Sequence, residues 1–356
     1  MSNNPKAVIF GIKGTQLSSA EENFIREYNP LGFILFARNI ENKEQVKQLV
    51  EKLKAVVGRD APILIDQEGG KVARLKQPNW RHPPEAAIFG QLAKYDQKIA
   101  AKACKINAKL LAYDLYQLGI NTNCAPVLDI FLPDAHSVIG NRAFSDDKDL
   151  ISMLALETIK GFSNCGVCPI IKHIPGHGRS KADSHLELPV VDVDLKTLRN
   201  TDFYPFTKLR NKAKWAMTAH ILYTALDKHQ PATFSHKVIE EIRQNIGFKS
   251  IIITDCITMK ALSGSMAEKA KKSLDAGCDI VLHSSGNLEE MTNIVKVCPS
   301  LTDKQMNIIK ASYKKLTPPA ANFNFQKSVQ KLNQIFDKFN ITSHYIPQFD
   351  PTSQLH

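Results

Sequence analysis

The sequence predicts a (β/α)8 barrel of the TIM type, built as a single α/β domain with a C-terminal helical extension. Eight short, apolar, β-rich runs recur along the chain, and longer segments with helical periodicity separate them. Most of these runs are continuously apolar, which is typical of parallel strands buried on both faces. The 356 residues exceed the ~250 of a typical barrel, which leaves room for long loops. A doubly wound sheet is the alternative fold, because it also alternates strands and helices.

The predicted strands are apolar segments bounded by polar or turn-forming residues. They span residues 7–12, 31–36, 62–66, 119–125, 169–173, 215–221, 250–255 and 278–284. Long loops follow the third, fourth and fifth of them. Eight strand–helix units in one chain fit a closed barrel more naturally than an open sheet.

Helix start and stop signals lie between these strands. Ser18 with Glu21 has the spacing of a capping box, in which each residue caps the other's backbone amide. Asn42 with Gln45 gives a similar start signal. Gly277 is placed to end a helix. The longer helical segments cover residues 86–118 with an interruption near 95–96, 150–162, 195–211, 236–245 and 267–276.

The chain is divided into a barrel, an extension and a tail. We predict that residues 1–300 form the barrel, that residues 301–340 form helices packed on it, and that residues 341–356 are a loose tail. Within the extension, one predicted helix begins at Thr302 and another covers residues 323–339.

The charge balance is basic but carries no sign of a nucleic-acid partner. There are 46 Lys and Arg against 35 Asp and Glu, which gives a formal net charge of +11. The lysines are dispersed and form no recognised binding motif, so we interpret them as a solvated surface, with an acidic ligand as the alternative. No apolar run reaches the ~18 residues of a membrane span, and the start has no apolar core of signal-peptide length. We therefore expect a cytoplasmic monomer that acts on a small molecule.

Cysteine usage fits a reducing compartment. The seven cysteines are an odd number, which argues against a disulfide framework. Cys165 and Cys168 form a C-x-x-C pair, but a structural zinc site needs a second pair that the sequence lacks. We interpret the cysteines as small buried apolar residues.

Ionisable residues follow the predicted strands at their carboxyl ends. They are Asp66 after the third strand, Asp129 and Arg142 after the fourth, Lys172 and His173 at the fifth, His220 at the sixth and Asp255 at the seventh. In a barrel these strand ends meet at one face, where active sites are found. The sequence therefore predicts a polar pocket at that face.

The loop after the fifth strand contains a candidate acid/base pair. In an extended loop, residues two apart point the same way, so Asp183 can accept a hydrogen bond from one ring nitrogen of His185. The other ring nitrogen then stays free, as in an oriented general acid/base. Gly176 and Gly178 suggest a loop that closes over a substrate.

A zinc site is the competing interpretation of the same loop. It would use His173, His177, Asp183 and His185, which have the residue types of zinc ligands. The proline and glycine between the two first histidines prevent a regular helix there, so these residues need not share a face.

Six motifs carry a resemblance to a known family. They are LGFILFARN (31–39), DQEGGKVARL (66–75), NCAPVLDI (123–130), KHIPGHG (172–178), DSH (183–185) and ITDCITMKAL (253–262). In this order they resemble the family 3 glycoside hydrolases, and most closely the single-domain bacterial β-N-acetylhexosaminidases of peptidoglycan recycling. The resemblance runs from about residue 7 to 286. It implies a TIM barrel and an enzyme that removes terminal GlcNAc from muropeptides.

The resemblance also implies roles for individual residues. Asp255 stands at the position of the family nucleophile, and His185 paired with Asp183 at that of the acid/base. The sugar-binding positions are occupied by Asp66, Arg74, Arg142, Lys172 and His173. The implied retaining mechanism needs neither a metal nor an organic cofactor.

Two departures from the family pattern and several alternative functions remain. Ile174 replaces a usual Phe, and Cys256 replaces an acidic residue that often follows the nucleophile. Cleavage of other β-glycosides and attack by phosphate instead of water stay open. So do a zinc-dependent hydrolase and a non-catalytic sugar-binding protein.

Overall fold

The chain folds into a closed barrel of parallel strands surrounded by helices. The computed structural model describes residues 4–341, so the predicted tail lies outside the described residues from residue 342 onward. The strands in chain order are β1 (Lys6–Gly11), β2 (Pro30–Leu35), β3 (Ile63–Ile65), β4 (Thr122–Asn123), β5 (Cys168–Ile174), β6 (Val190–Val191), β7 (Trp215–Thr218), β8 (Leu222–Tyr223), β9 (Ile251–Cys256) and β10 (Ile280–His283).

Eight of these strands close the barrel in chain order. The order is β1-β2-β3-β4-β5-β7-β9-β10, and β10 pairs with β1. All neighbouring pairs are parallel. β6 and β8 form a separate two-stranded sheet. The predicted (β/α)8 barrel is confirmed, and the doubly wound alternative is wrong.

Helices cover the outside of the barrel. They are α1 (Ser19–Tyr28), α2 (Lys43–Val57), α3 (Ala86–Ala93), α4 (Gln97–Gln117), α5 (Lys148–Ser163), α6 (Leu195–Asn200), α7 (Tyr204–Leu209), α8 (His236–Gln244), α9 (Met266–Ala276), α10 (Leu288–Val297), α11 (Asp303–Lys314) and α12 (Phe325–Lys338). The predicted capping box of Ser18 and Glu21 is present, and Asn42 caps α2 as predicted. Among residues 4–341, no helix is both long and apolar enough to span a bilayer.

Alternate residues of the strands pack into two layers of the core, one inside the barrel and one between the barrel and the helices. In β1, Ala7 and Ile9 belong to the apolar cluster inside the barrel, which also contains Trp215 and Met217 of β7. Val8 and Phe10 instead pack outward, in the cluster between barrel and helices. Because both faces are buried, the strands read as continuous apolar runs.

The fourth strand is shorter than predicted. The prediction covered residues 119–125, but β4 spans only Thr122–Asn123. Gly119 belongs to the turn that follows α4, and its φ of 74° lies in the left-handed region, which favours glycine. Pro126 lacks an amide hydrogen, so regular pairing stops before it.

The helix predicted over residues 195–211 is two helices. α6 ends at Asn200, and Thr201 has non-helical angles of φ −125° and ψ −82°. Pro205 lies in the first turn of α7, where its missing amide hydrogen costs nothing. In the middle of one long helix the same proline would remove a hydrogen bond. Helix α10 was not predicted.

The C-terminal helices pack on the barrel away from its carboxyl ends. In α11, Ser312 Oγ accepts from Trp215 Nε1 at 3.1 Å, and Tyr313 Oη lies 2.6 Å from Thr122 Oγ1. Both partners stand at the amino ends of their strands. α12 packs on α3 and α4, with the rings of Phe336 and Phe89 5.9 Å apart. The carboxyl face of the barrel is left for the site.

Candidate active site

A polar cavity lies at the carboxyl ends of the barrel strands, where the sequence predicted one. The empty space within it, including space open to solvent, is about 390 Å³. Six predicted site residues line it, together with four others. The six are Asp66, Arg142, Lys172, His173, His185 and Asp255, and the others are Val138, His177, Ser184 and Met259. Arg74 and Asp183 do not line the cavity, and each contacts a residue that does.

Asp255 stands near the end of β9 with one oxygen held and the other near the cavity wall. Its Oδ1 accepts a hydrogen bond from the Cys256 amide at 2.7 Å. Its Oδ2 lies 4.0 Å from His173 Nε2. The side chain is 16% exposed, so solvent and a ligand in the cavity can reach it. This geometry presents a single carboxylate oxygen to a bound molecule.

His173 is oriented by a buried carboxylate from the neighbouring strand loop. Its Nδ1 lies 2.7 Å from Asp129 Oδ2, and its amide donates to Oδ1 at 3.2 Å. Burial alone would raise the pKa of Asp129, but His173 and His177 hold it below the ordinary value. The ionised Asp129 therefore favours the tautomer of His173 whose proton is on Nδ1. The other ring nitrogen, Nε2, faces Arg142 and Asp255.

A network of four charged side chains forms what we call the charged wall, and three of them, Asp66, Lys172 and Arg142, line the cavity. Lys172 Nζ contacts Asp66 Oδ1 and Glu68 Oε1, both at 2.7 Å. Arg142 makes a bidentate pair with Glu68, with both N–O distances at 2.8 Å. Burial alone would lower the pKa of Lys172, but the two carboxylates raise it above its ordinary range. The four side chains are thus held in their charged forms and are linked by ion pairs.

Glu68 is the functional residue that sequence analysis missed. It follows Asp66 by two positions, at the same strand end, and this was the signal that could have found it. Burial alone would raise its pKa, but Arg142 and Lys172 hold the pKa well below the ordinary value of 4.5. Glu68 is therefore ionised and joins the two cations of the wall.

Replacing Glu68 by Gln is expected to destabilise the protein by about 3 kcal/mol near neutral pH, because it leaves two buried cations without their shared anion. The folded-state pKa of Glu68 is lowered, so its contribution is present above about pH 4.5 and is lost as the pH falls through the folded pKa. The difference in unfolding free energy between wild type and variant should therefore shrink on acidification. Urea unfolding at several pH values measures this.

Glu22→Gln is the control for that series, because Glu22 pairs with Lys52 and Arg26 at the exposed surface. It should change the unfolding free energy little at any pH. A Glu68→Gln difference that stays constant between neutral and acidic pH would contradict the role given to the charge.

Arg74 contacts the cavity lining through Asp66. Its Nη2 lies 3.4 Å from Asp66 Oδ2, and its guanidinium stands over the Phe36 ring at 5.4 Å. Lys172 and Arg74 together outweigh burial and hold the pKa of Asp66 below its ordinary value. Arg74 therefore helps to fix the charge and the orientation of Asp66, although it does not itself line the cavity.

Asp183 and His185 form the pair that the sequence predicted, but the backbone conformation differs from the predicted one. His185 Nδ1 lies 2.6 Å from Asp183 Oδ1, and the same oxygen accepts the His185 amide at 2.9 Å. The segment is a turn, closed by the Leu186 amide on the Asp183 carbonyl at 2.9 Å, and not an extended loop. Burial alone would raise the pKa of Asp183, but its hydrogen bonds from His185 hold it below the ordinary value.

The second ring nitrogen of His185 is available to a ligand. His185 Nε2 is buried and has no hydrogen-bond partner among the described residues. Because Asp183 accepts at Nδ1, Nε2 is the atom that can exchange a proton with a molecule in the cavity. The arrangement has the geometry of an oriented acid/base.

His177 helps to hold this turn. Its amide donates to Asp129 Oδ1 at 2.7 Å, and its Nε2 lies 3.4 Å from Ser184 Oγ. Burial and the nearby His173 lower the pKa of His177 to about 4, so the ring is neutral. Gly178 lets the loop pass the barrel, because a Cβ there would stand 2.0 Å from the Ile130 carbonyl oxygen.

Cys256 and His220 support the strand end behind Asp255. The Cys256 thiol is buried beside Thr258 Oγ1 at 3.0 Å and Ser284 Oγ at 2.9 Å, and burial raises its pKa. His220 Nε2 donates to the Cys256 carbonyl at 3.0 Å, and burial lowers the pKa of His220. Both groups are therefore neutral neighbours of the carboxylate and do not line the cavity.

The zinc alternative is not supported by the placement of the side chains. Among residues 4–341, no group of three or more His, Cys, Asp or Glu side chains is placed to hold a metal ion. His173 is bound to Asp129, whereas His185 is bound to Asp183. The two histidines are thus hydrogen-bonded to different carboxylates and are not arranged around one common point.

Comparison with known proteins decides the family. The model of the glycosyl hydrolase family 3 N terminal domain matches residues 7–317. The chain belongs to this family. A β-hexosaminidase from Haemophilus ducreyi is 32% identical over 338 residues, which cover 93% of this chain and 97% of that protein.

Solved structures of the same family are similar over almost the whole chain. Native NagZ from Neisseria gonorrhoeae has a TM-score of 0.83 and 29% identity, and covers 93% of this chain and 98% of its own. The same protein in complex with N-trifluoroacetyl-D-glucosamine has a TM-score of 0.84 and 29% identity, with the same coverage. The family that the sequence motifs predicted is confirmed.

Proposed function

We propose that this family 3 protein is a retaining exo-β-N-acetylglucosaminidase that releases terminal GlcNAc from muropeptides. The coarser activity, that of a β-N-acetylhexosaminidase, follows from family membership and from the curated β-hexosaminidases that match most of the chain. The observation that carries the finer proposal is the cavity that Asp255 and His185 line together. Asp255 supplies a carboxylate, and His185 supplies an imidazole that Asp183 orients.

In the first step Asp255 attacks the anomeric carbon of the bound sugar. A bond forms between Oδ2 and C1 while the bond from C1 to the leaving oxygen breaks. His185 Nε2 gives its proton to that oxygen, and Asp183 stabilises the imidazolium before the transfer. The products are a glycosyl ester of Asp255 and a neutral leaving group.

In the second step water hydrolyses the ester. His185 Nε2 accepts a proton from the water as its oxygen bonds to C1, and the Asp255 carboxylate leaves. Two displacements at C1 give net retention of the β configuration. Using an imidazole instead of a second carboxylate avoids two like charges close together, which would oppose ionisation of Asp255.

The charged wall is proposed to bind the sugar hydroxyls. Asp66 accepts hydrogen bonds from them, Lys172 and Arg142 donate, and His173 contacts them through Nε2. Because these groups are buried and fixed by one another, an epimer that lacks a partner leaves one of them unpaired. That penalty supports discrimination between stereoisomers.

The muropeptide substrate and the cytoplasmic location have separate support. A Neisseria relative was solved with an N-acyl glucosamine, which supports GlcNAc in the cavity. The net charge of +11 suits an acidic peptide-bearing substrate. The seven cysteines are free and buried, which is typical of a reducing compartment.

Product analysis tests this function. The protein is incubated with N,N′-diacetylchitobiose and with a disaccharide muropeptide, with EDTA present, in buffers with and without phosphate. Proton NMR should detect β-GlcNAc first, before mutarotation, in both buffers. GlcNAc 1-phosphate would identify phosphorolysis, first-formed α-GlcNAc would exclude retention, and loss of activity with EDTA would favour a metal-dependent reaction.

A further inference from the structure

The loop that carries the acid/base pair is tied to the barrel at several points. We call residues 175–189 the dyad loop. Its backbone is held by Tyr223 Oη on the Gly176 carbonyl at 2.6 Å and by the His136 amide on the Ser180 carbonyl at 2.8 Å. On the far side, the Ala261 amide donates to the Ser184 carbonyl at 3.1 Å. These are neutral hydrogen bonds, each to a loop carbonyl.

One tie is a salt bridge. Arg179 Nε donates to Asp202 Oδ2 at 2.6 Å, and its Nη2 lies 3.1 Å from Thr201 Oγ1. Thr201 Oγ1 in turn donates to the same carboxylate oxygen at 2.7 Å. Within residues 4–341, this is the one ion pair that joins the dyad loop to another part of the chain.

The anchor of this salt bridge, Asp202, is buried. Asp202 is 1% exposed and stands in the break between α6 and α7, which the structure holds in place through Arg199 and Glu241 on α8. The loop packs directly on it, because a Cβ on Gly176 would lie 3.0 Å from both Asp202 Cβ and the Asp202 carbonyl oxygen. A buried carboxylate that lost its cation would be uncompensated, so the pair favours one loop position.

The segment that joins Arg179 to the acid/base pair is short, and a hydrogen bond within it stabilises its conformation. Arg179 precedes Asp183 by four residues, and Ser180 Oγ donates to the Ala182 carbonyl at 2.5 Å within that stretch. Arg179 itself is 21% exposed and does not line the cavity. A displacement at Arg179 is therefore passed to Asp183 and His185, whereas Asp255, Lys172 and Asp66 stand on or directly after the barrel strands, outside this loop.

We propose that Arg179 is a positioning residue that, through Asp202 and Thr201, holds the dyad loop where His185 reaches the leaving-group oxygen. The inference rests on the proposed role of His185. It separates loop placement, which serves proton transfer, from the charged wall and Asp255, which serve binding and attack. Arginine suits the task because its planar guanidinium bonds to two oxygens at once.

The test compares leaving groups. Arg179→Gln should lower kcat/KM for N,N′-diacetylchitobiose by roughly 100-fold, because a misplaced acid cannot protonate a sugar oxygen. It should lower kcat/KM for 2,4-dinitrophenyl β-N-acetylglucosaminide by no more than about 3-fold, since that leaving group needs little protonation. Arg179→Lys keeps the charge but not the fork, and should give an intermediate loss on the disaccharide.

Two variants make the outcome decisive. Arg243→Gln removes a comparable arginine–aspartate pair, which lies next to the start of β10 and away from the dyad loop, and should not discriminate between the two substrates. His185→Ala should show the full leaving-group signature. If His185→Ala shows it and Arg179→Gln loses both substrates equally or neither, the positioning role is wrong and the proposed function stands. If His185→Ala also lacks it, the proposed function itself fails.

Discussion

Replacing Asp255 by Ala should reduce kcat/KM by on the order of 10⁴-fold or more with every β-N-acetylglucosaminide, activated or not. The reason is that, among residues 4–341, the one other carboxylate that lines the cavity is that of Asp66. Asp66 is bound to Lys172 and Arg74, whereas one oxygen of Asp255 is held only by the Cys256 amide. Initial rates with 4-nitrophenyl β-N-acetylglucosaminide measure the loss.

Chemical rescue separates loss of a nucleophile from loss of the fold. Azide fills the space left by the Asp255 carboxylate and should give an α-glycosyl azide, the product of one displacement. Cys256→Ser is the matched control, because a hydroxyl can keep the contacts to Thr258 and Ser284 and should preserve most activity. An Asp255→Ala protein that keeps a tenth of wild-type turnover would contradict the assignment.

Replacing His185 by Ala should cost roughly 10²- to 10⁴-fold on N,N′-diacetylchitobiose and far less in the first step with a dinitrophenyl leaving group. The loss depends on the leaving group because only a poor one needs the proton from Nε2. With the activated substrate, the ester of Asp255 should accumulate, since its hydrolysis also needs His185 as a base. Stopped-flow measurements should therefore show a burst of dinitrophenol.

The control and the rescue for His185 differ from those for Asp255. Azide should restore turnover of the activated substrate and give a β-glycosyl azide, because it attacks the glycosyl ester without a base. His229→Ala removes an exposed histidine and should leave all rates unchanged. Equal losses on both leaving groups, with no burst, would show that His185 does not transfer the proton.

The barrel and the positions around its carboxyl ends could be predicted from local sequence. Strands such as β5 are buried along their whole length, and continuous apolar runs report that directly. The capping boxes of Ser18 and Thr302 are contacts between residues three apart, so they too are visible in the sequence. The family motifs then located the ionisable residues, because five of the six motifs contain or directly follow the end of a barrel strand.

The partners of those residues could not be predicted, because closure of the barrel creates them. Asp129 and His173 are 44 residues apart and meet only when neighbouring strands align. Glu68 and Arg142 are 74 apart, and the sequence contains no pattern that joins them. The catalytic and sugar-binding roles given to the site residues stay predictions until they are measured.

Covalent trapping tests the central claim most directly. A slow 5-fluoro N-acetylglucosaminyl fluoride should inactivate the wild-type protein with one sugar per chain, and the labelled peptide can be sequenced by tandem mass spectrometry. The account predicts the sugar on Asp255, in the peptide that contains the end of β9. A sugar attached to any other residue, or steady turnover with no labelled peptide, would contradict it.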